Sequence, residues 1–199
     1  MVSKVFDEIL AQGIRAGQIP ARTQQSRDWF RNTATQTKVT PESIIRGEKA
    51  RFKNRVMMGK MYLFNYDPKH KDTLPYYDRF PLIFPVEKTA DGFYGINMHY
   101  LPHKLRAVLM DALYSLSKDK RYDENTRLRL SYGILNSVAK YKAFRPTFKR
   151  YLTNHVRSRF IEISSAEWDI ALMMPLQKFV KSTSSKVWAD SRKMAKAKR

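Results

Sequence analysis

Residues 140–160 hold seven cations and no acid: Lys140, Lys142, Arg145, Lys149, Arg150, Arg157 and Arg159. Tyr141, Phe144, Phe148, Tyr151 and Phe160 are interleaved with them. Lysine and arginine neutralise phosphates and release the counterions condensed on nucleic acid, while aromatic rings stack on exposed bases. The plainer alternative is rings in a core and cations on a solvated face. We assign the rings to the core. The cations we assign to phosphate contact, because seven like charges without an acid repel one another. A second basic group closes the chain, with Lys186, Arg192 and Lys193 as candidates for a phosphate-binding arm.

Other chemistry is poorly supported. Asp67, Asp72, Asp78 and Asp91 gather around a strand-rich stretch, and a nuclease needs carboxylates on a metal. They show no recognisable spacing with a lysine partner, and Asp67-Pro68 and Asp91-Gly92 read as turn chemistry. Of the histidines, His99 and His103 are four apart but straddle Pro102, and His70 and His155 stand alone. There is no phosphate loop, dinucleotide fingerprint or Gly-x-Ser-x-Gly. No catalytic residue, metal, cofactor or small-molecule substrate is expected.

The totals agree. The chain has 199 residues, 38 Lys plus Arg against 18 Asp plus Glu, and a net charge of +20. A small domain needs a net charge of only about 2–8 for solubility, so the excess calls for a polyanionic partner. With 43% hydrophobic and 13% aromatic residues, the chain can still build a core. It has no cysteine, which excludes disulfides and fits assembly in a reducing compartment. Met1 to Gly17 is too polar for a signal peptide, and no apolar run is long enough to span a membrane.

The elements that must position these residues form an α+β pattern. Val5, Ile9, Leu10 and Ile14 predict an amphipathic helix over 3–16; residues 17–40 read as an extended polar arm anchored by Trp29 and Phe30. Thr40-Pro41-Glu42 starts a helix over about 41–53. Met61–Tyr66, Phe80–Val86 and Phe93–Tyr100 read as short strands, with Ala90-Asp91-Gly92 a hairpin turn. They suggest a small SH3-like β-barrel or an open antiparallel sheet, with Tyr62, Phe64, Tyr76, Tyr77 and Phe80 inside it. Helices follow: one carrying Leu105, Val108, Leu109, Leu113 and Leu116, one over Leu128–Val138, and one from Pro146 to about Ser158. Arg159–Ile163 alternates as a returning strand. Ser164 and Glu167 form a capping box, opening a helix that stops at Pro175. The expected division is a basic N-terminal arm with short helices (1–55), a β unit (56–101), a helical lobe with one strand (102–181) and a basic C-terminal tail (182–199).

Three strings are distinctive: Gly59–Lys69 (GKMYLFNYDPK), Leu74–Leu82 (LPYYDRFPL) and Gly92–Pro102 (GFYGINMHYLP). With Val156–Phe160, Glu167–Leu172 and Lys186–Ser191, they resemble the DNA end protector proteins of T-even-like tailed bacteriophages, over roughly 56–190. The resemblance implies a minor head protein of the virion, assembled in the host cytoplasm among other virion proteins. Such a protein would bind the terminus of the double-stranded genome stoichiometrically and shield it from host exonuclease. A rival reading is a structural neck or baseplate component whose basic arms grip acidic neighbours. A third, a small metal-dependent nuclease, would consume DNA ends when magnesium is added.

Overall fold

The computed structural model describes residues 5–18, 23–36, 38–117, 133 and 142–196. Three helices lead in: α1 (Val5–Arg15), α2 (Gln24–Gln36) and α3 (Pro41–Gly47). Strands β1 (Phe52–Lys53), β2 (Met61–Leu63), β3 (Tyr77–Asp78), β4 (Leu82–Thr89) and β5 (Gly92–Asn97) follow, then helix α4 (His103–Ser117). The remainder is β6 (Phe148–Leu152), β7 (Phe160–Ile163), α5 (Trp168–Met173), β8 (Phe179–Val180) and α6 (Ser184–Lys196). The fold is α+β.

Six strands form one antiparallel sheet in the order β1-β7-β2-β4-β5-β6, and β3 pairs with β8 separately. The end strands β1 and β6 do not pair with each other, so among the described residues the sheet is open rather than an SH3-like barrel. Alternating side chains give it two cores. Met61, Leu63, Phe84, Ile96, Ile161 and Ile163 pack on the side where α1, α2 and α5 bring Phe6, Phe30 and Ile170. Tyr62, Phe64, Phe93, Tyr151 and Phe160 face the other way. Phe64 is the hub of this second core, with Phe160 and Tyr151 rings edge-on at 5.1 and 5.5 Å.

Several expectations change. Residues 24–36 are helical, not an extended arm. Thr23 caps the start by accepting from the Ser26 N–H, and the buried stripe is Ser26, Phe30 and Ala34, one ring between two small residues. That stripe carries too little apolar weight to register as amphipathic. Gly13 of α1 makes room for it: a Cβ there would lie 2.4 Å from Phe30 Cζ. The helix at 41 starts as expected, with Thr40 and Ser43 capping each other, but ends at Gly47. Beyond it Arg51 is drawn into an ion cluster with Glu167, Glu48 and Asp7. The strand expected over 61–66 stops at Leu63, leaving Tyr66 as a lone bridge to Val156.

The helix expected over 146–158 is instead a 3-10 turn (Lys142–Thr147) followed by strand β6. The free edge of β5 decides this. Phe148 stacks flat on Tyr94 at 5.0 Å and Tyr151 on Phe93 at 5.5 Å, and such cross-strand ring pairs outweigh local helical spacing. The C-terminal segment is a helix, not an extended tail. Its Val187 and Ser191, four apart, are buried, and the Trp188 indole N–H donates to the His99 carbonyl at 2.8 Å. The capping box of Ser164 and Glu167 forms as expected. The helix expected over Leu128–Val138 lies outside the described residues.

β6 passes so close to the β4–β5 hairpin that a Cβ on Gly92 would sit 1.9 Å from the Tyr151 carbonyl oxygen. Gly92→Ala is therefore expected to prise β6 from β5 and to destabilise the fold by about 2 kcal/mol or more. Urea unfolding followed by far-UV circular dichroism measures it.

Candidate nucleic-acid interface

Strand β6 and the loop before β3 enclose a cleft of about 310 Å³. Tyr66, Tyr76, Tyr77, Tyr100 and Tyr151 line it, with Lys149 from β6 and Lys69, His70 and Arg150 at the rim. The strand alternation explains the placement. Phe148 turns into the helix-covered core, while Lys149 and Tyr151 share the opposite side. Lys149 is thus partly buried, its ammonium 4.2 Å from the Tyr100 ring centroid. Among the described residues no carboxylate pairs with it. Burial pushes its pKa down to about 8.

The floor of the cleft is a buried polar network. Asp78 accepts from His99 Nδ1 at 2.7 Å, Asn97 Nδ2 at 3.1 Å, the Phe80 N–H at 3.1 Å and the Lys178 N–H at 3.4 Å. Asn97 also donates to the Tyr151 hydroxyl at 3.1 Å. Burial lowers the pKa of His99, so its ring is neutral and Nδ1 carries the proton toward Asp78. The His99 carbonyl receives the Trp188 indole, and the buried Arg106 reaches it at 3.4 Å. Arg106 also donates to the carbonyls of Leu101 and Leu172, each at 2.7 Å, and burial lowers its pKa to about 9. His99, Asp78 and Arg106 thus serve as structural groups that hold β3, the 98–100 turn, α4, α5 and α6 together.

The wall formed by residues 68–76 is pinned from a distance. Lys181 adopts φ 65°, and its ammonium donates to the carbonyls of Lys71 (2.7 Å), Asp72 (2.9 Å) and Leu74 (3.3 Å). A second recess of about 510 Å³ shares Tyr66 and Tyr77 with the first and contains Lys71, Arg79 and Arg157 around Asp67. Lys71 lies 3.1 Å and Arg157 3.7 Å from that carboxylate, and these cations hold its pKa down.

The sequence-derived candidates separate into groups. Lys149 enters the cleft and Arg150 stands at its rim, paired with Asp91 at 2.8 Å. Arg157 lines the neighbouring recess. Arg159 is exposed over the Phe52 ring at 5.9 Å, on the far edge of the sheet beside β1. Arg145 is exposed on the 3-10 turn that α6 packs against, and Lys186, Arg192 and Lys193 are exposed on α6. The backbone of Lys142 belongs to the same turn, and Lys140 lies outside the described residues. Tyr76 and Tyr77, assigned from sequence to the core, are half-buried and line the cleft; Tyr62, Phe64 and Phe80 are in the core. Sequence reasoning missed Lys69, His70 and Tyr100. The paired tyrosines after Pro75 were the available signal, since adjacent residues of an extended segment face opposite ways and cannot both enter one core.

His103 packs edge-on against Trp188, and burial lowers its pKa to about 4. The unfolded chain takes up protons that the folded one refuses, so this stability is present above about pH 6.5 and lost as pH falls toward 4. Unfolding free energy should fall across that window by up to about 1.4 kcal/mol per pH unit for each such histidine. Urea titrations at pH 7, 6 and 5 test this, and His103→Asn should flatten the profile.

The sequence pattern of the family described as phage T4 terminal DNA protecting protein matches residues 2–193, taking in the N-terminal helices as well as the sheet. No curated protein and no solved structure matches the chain.

Proposed function

From a chain that belongs to the phage T4 terminal DNA protecting protein family, we propose a virion protein that caps the end of the packaged double-stranded genome and denies it to host exonuclease by stoichiometric, non-catalytic binding. The observation that carries this reading is the tyrosine-lined cleft with a lysine that no carboxylate among the described residues pairs with, set among exposed cations on a protein of net charge +20. A duplex interior offers a cleft of this size nothing to enclose, whereas a terminus does.

The cations divide the work. Arg145, Lys186, Arg192 and Lys193, with Lys140 and Lys142, supply phosphate contacts that position the duplex without reading sequence. Arg150 and Arg157 approach carboxylates in the free protein, but these pairs are exposed. Exposed pairs contribute little to stability, so a DNA phosphate can displace Asp91 or Asp67 cheaply. Arg159, on the opposite edge of the sheet, adds to the general attraction. Nothing in this arrangement requires a bond to break. The protein remains with the DNA terminus and with neighbouring virion proteins.

Protection should follow ends rather than length. Linear duplex incubated with the protein is expected to resist a processive double-strand exonuclease, while a closed circle of the same sequence binds more weakly. Affinity for the linear form should fall about a thousandfold or more between 50 and 200 mM salt. Replacing Lys186, Arg192 and Lys193 together by glutamine should flatten the salt slope by about 0.9 for each phosphate that is no longer neutralised. Equal, weak binding to both forms with no protection would contradict end capping.

A further inference from the structure

We propose that the cleft between β6 and the 67–77 loop is a socket for a single terminal nucleotide, with Lys149 meeting the terminal phosphate monoester and the tyrosine wall holding the base. This deepens the end-capping reading and rests on it.

Lys149 is the starting point. Folding carries its ammonium against the Tyr100 ring and provides no carboxylate among the described residues to offset it. Every other cation that strand β6 and the loop bring near these recesses has an oxygen partner or projects into water. Arg150 has Asp91, Lys71 and Arg157 have Asp67, Lys181 has three carbonyls, and Lys69 is exposed. An unpaired, partly buried lysine is a cost to the free protein that an arriving anion removes. The groups facing it are Tyr100 from the 98–100 turn, Tyr151 from its own strand, Tyr76 from the loop, and Asp78 beneath. The Asp78 carboxylate is already filled by four donors. Among the described residues Asp78 is the one acid in the cleft lining, and its oxygens are turned to these donors.

The chemistry of the wall selects a nucleotide over a bare anion. Tyr76 and Tyr77 present half-buried rings. Tyr76 is braced edge-on by Phe179 at 6.4 Å and lies 6.2 Å from Tyr100, which Phe179 also braces at 5.2 Å. A base stacking on such rings needs no hydrogen-bond code, and so suits any terminal sequence. At about 310 Å³ the space is at the lower end of the range of small-molecule sites, enough for one nucleotide and not for a duplex. The last nucleotide of a strand is the one that can leave its stack at least cost. Its monoester carries more charge than an internal diester, so the socket distinguishes a phosphorylated end from any interior position.

The test uses the full-length protein and four versions of one blunt duplex: 5′-phosphate, 3′-phosphate, both ends hydroxyl, and both ends closed by hairpin loops. Affinities are measured at one salt concentration, with thymidine 5′-monophosphate and thymidine as competitors. One phosphorylated end should bind about tenfold or more tighter than the hydroxyl end, and the arm that does so identifies the strand. The monophosphate should compete where the nucleoside does not. Lys149→Met, which removes a poorly solvated charge and should not lower the melting temperature, is expected to erase the preference while leaving the affinity for the hairpin-closed duplex intact. Tyr76→Leu should weaken all open ends and spare the closed duplex. For the wild-type protein, the phosphate preference should fade as pH rises from 7 to 9.5. Open ends bound more tightly than closed ones, but with no phosphate preference and no effect of either substitution, would overturn the socket while leaving end capping in place. Open and closed duplexes bound alike would overturn both.

Discussion

The structure turns on the buried carboxylate of Asp78. It sits on a strand of two residues and is filled by donors from its own segment, the end of β5, the turn after it and Lys178, a hundred residues later. A carboxylate taken out of water is strongly unfavourable unless its oxygens are satisfied, so these segments can close only together. The network continues through the His99 carbonyl to Trp188 of α6 and to Arg106 of α4, whose guanidinium reaches on to Leu172 of α5. One polar chain thereby sets the relation of the sheet, the C-terminal helix and the cleft. Breaking any member leaves a buried polar group without its partner, at about 1–3 kcal/mol and more for a charge.

A fixed floor permits, above it, a cation that has a ring but no carboxylate partner among the described residues. Lys149 can remain unpaired because β6 is fixed on both sides, through Phe148 on Tyr94 and through Tyr151 on Phe93 and Asn97. The Lys181 ammonium does for the loop wall what the ring stacks do for the strand, holding three carbonyls at once. The site is thus preorganised before any ligand arrives, which lowers the ordering cost of binding. On the proposed reading, the exposed cations on α6 and on the turn against it capture the polyanion first and the cleft receives its end.

Local chemistry was legible in the sequence and long-range pairing was not. The caps of Thr40 and Ser164 and the Ala90-Asp91 turn depend on residues three or four apart, and all three form. Helix α2 escaped because its buried face is Ser26, Phe30 and Ala34, small enough to pass for a polar arm. Strand β6 escaped because Phe148, Tyr151 and Leu152 fit helical spacing equally well; only the edge of β5, some fifty residues earlier, selects a strand. The cations of 140–160 were recognised as a group, yet no sequence signal places Lys149 inward, Arg150 on a rim and Arg159 at the opposite edge. Nor does one foretell that Lys181 closes a loop over a hundred residues away.

Engagement of a DNA terminus by the face built from β6 and the 67–77 loop is tested most directly by amide hydrogen exchange of the protein, alone and with a blunt duplex at low salt. Exchange in 66–78 and 148–152 should slow with the open duplex and not with a hairpin-closed duplex of the same length, while α6 is slowed by both. Slowing confined to α6, or identical for the two DNAs, would contradict end engagement at this face.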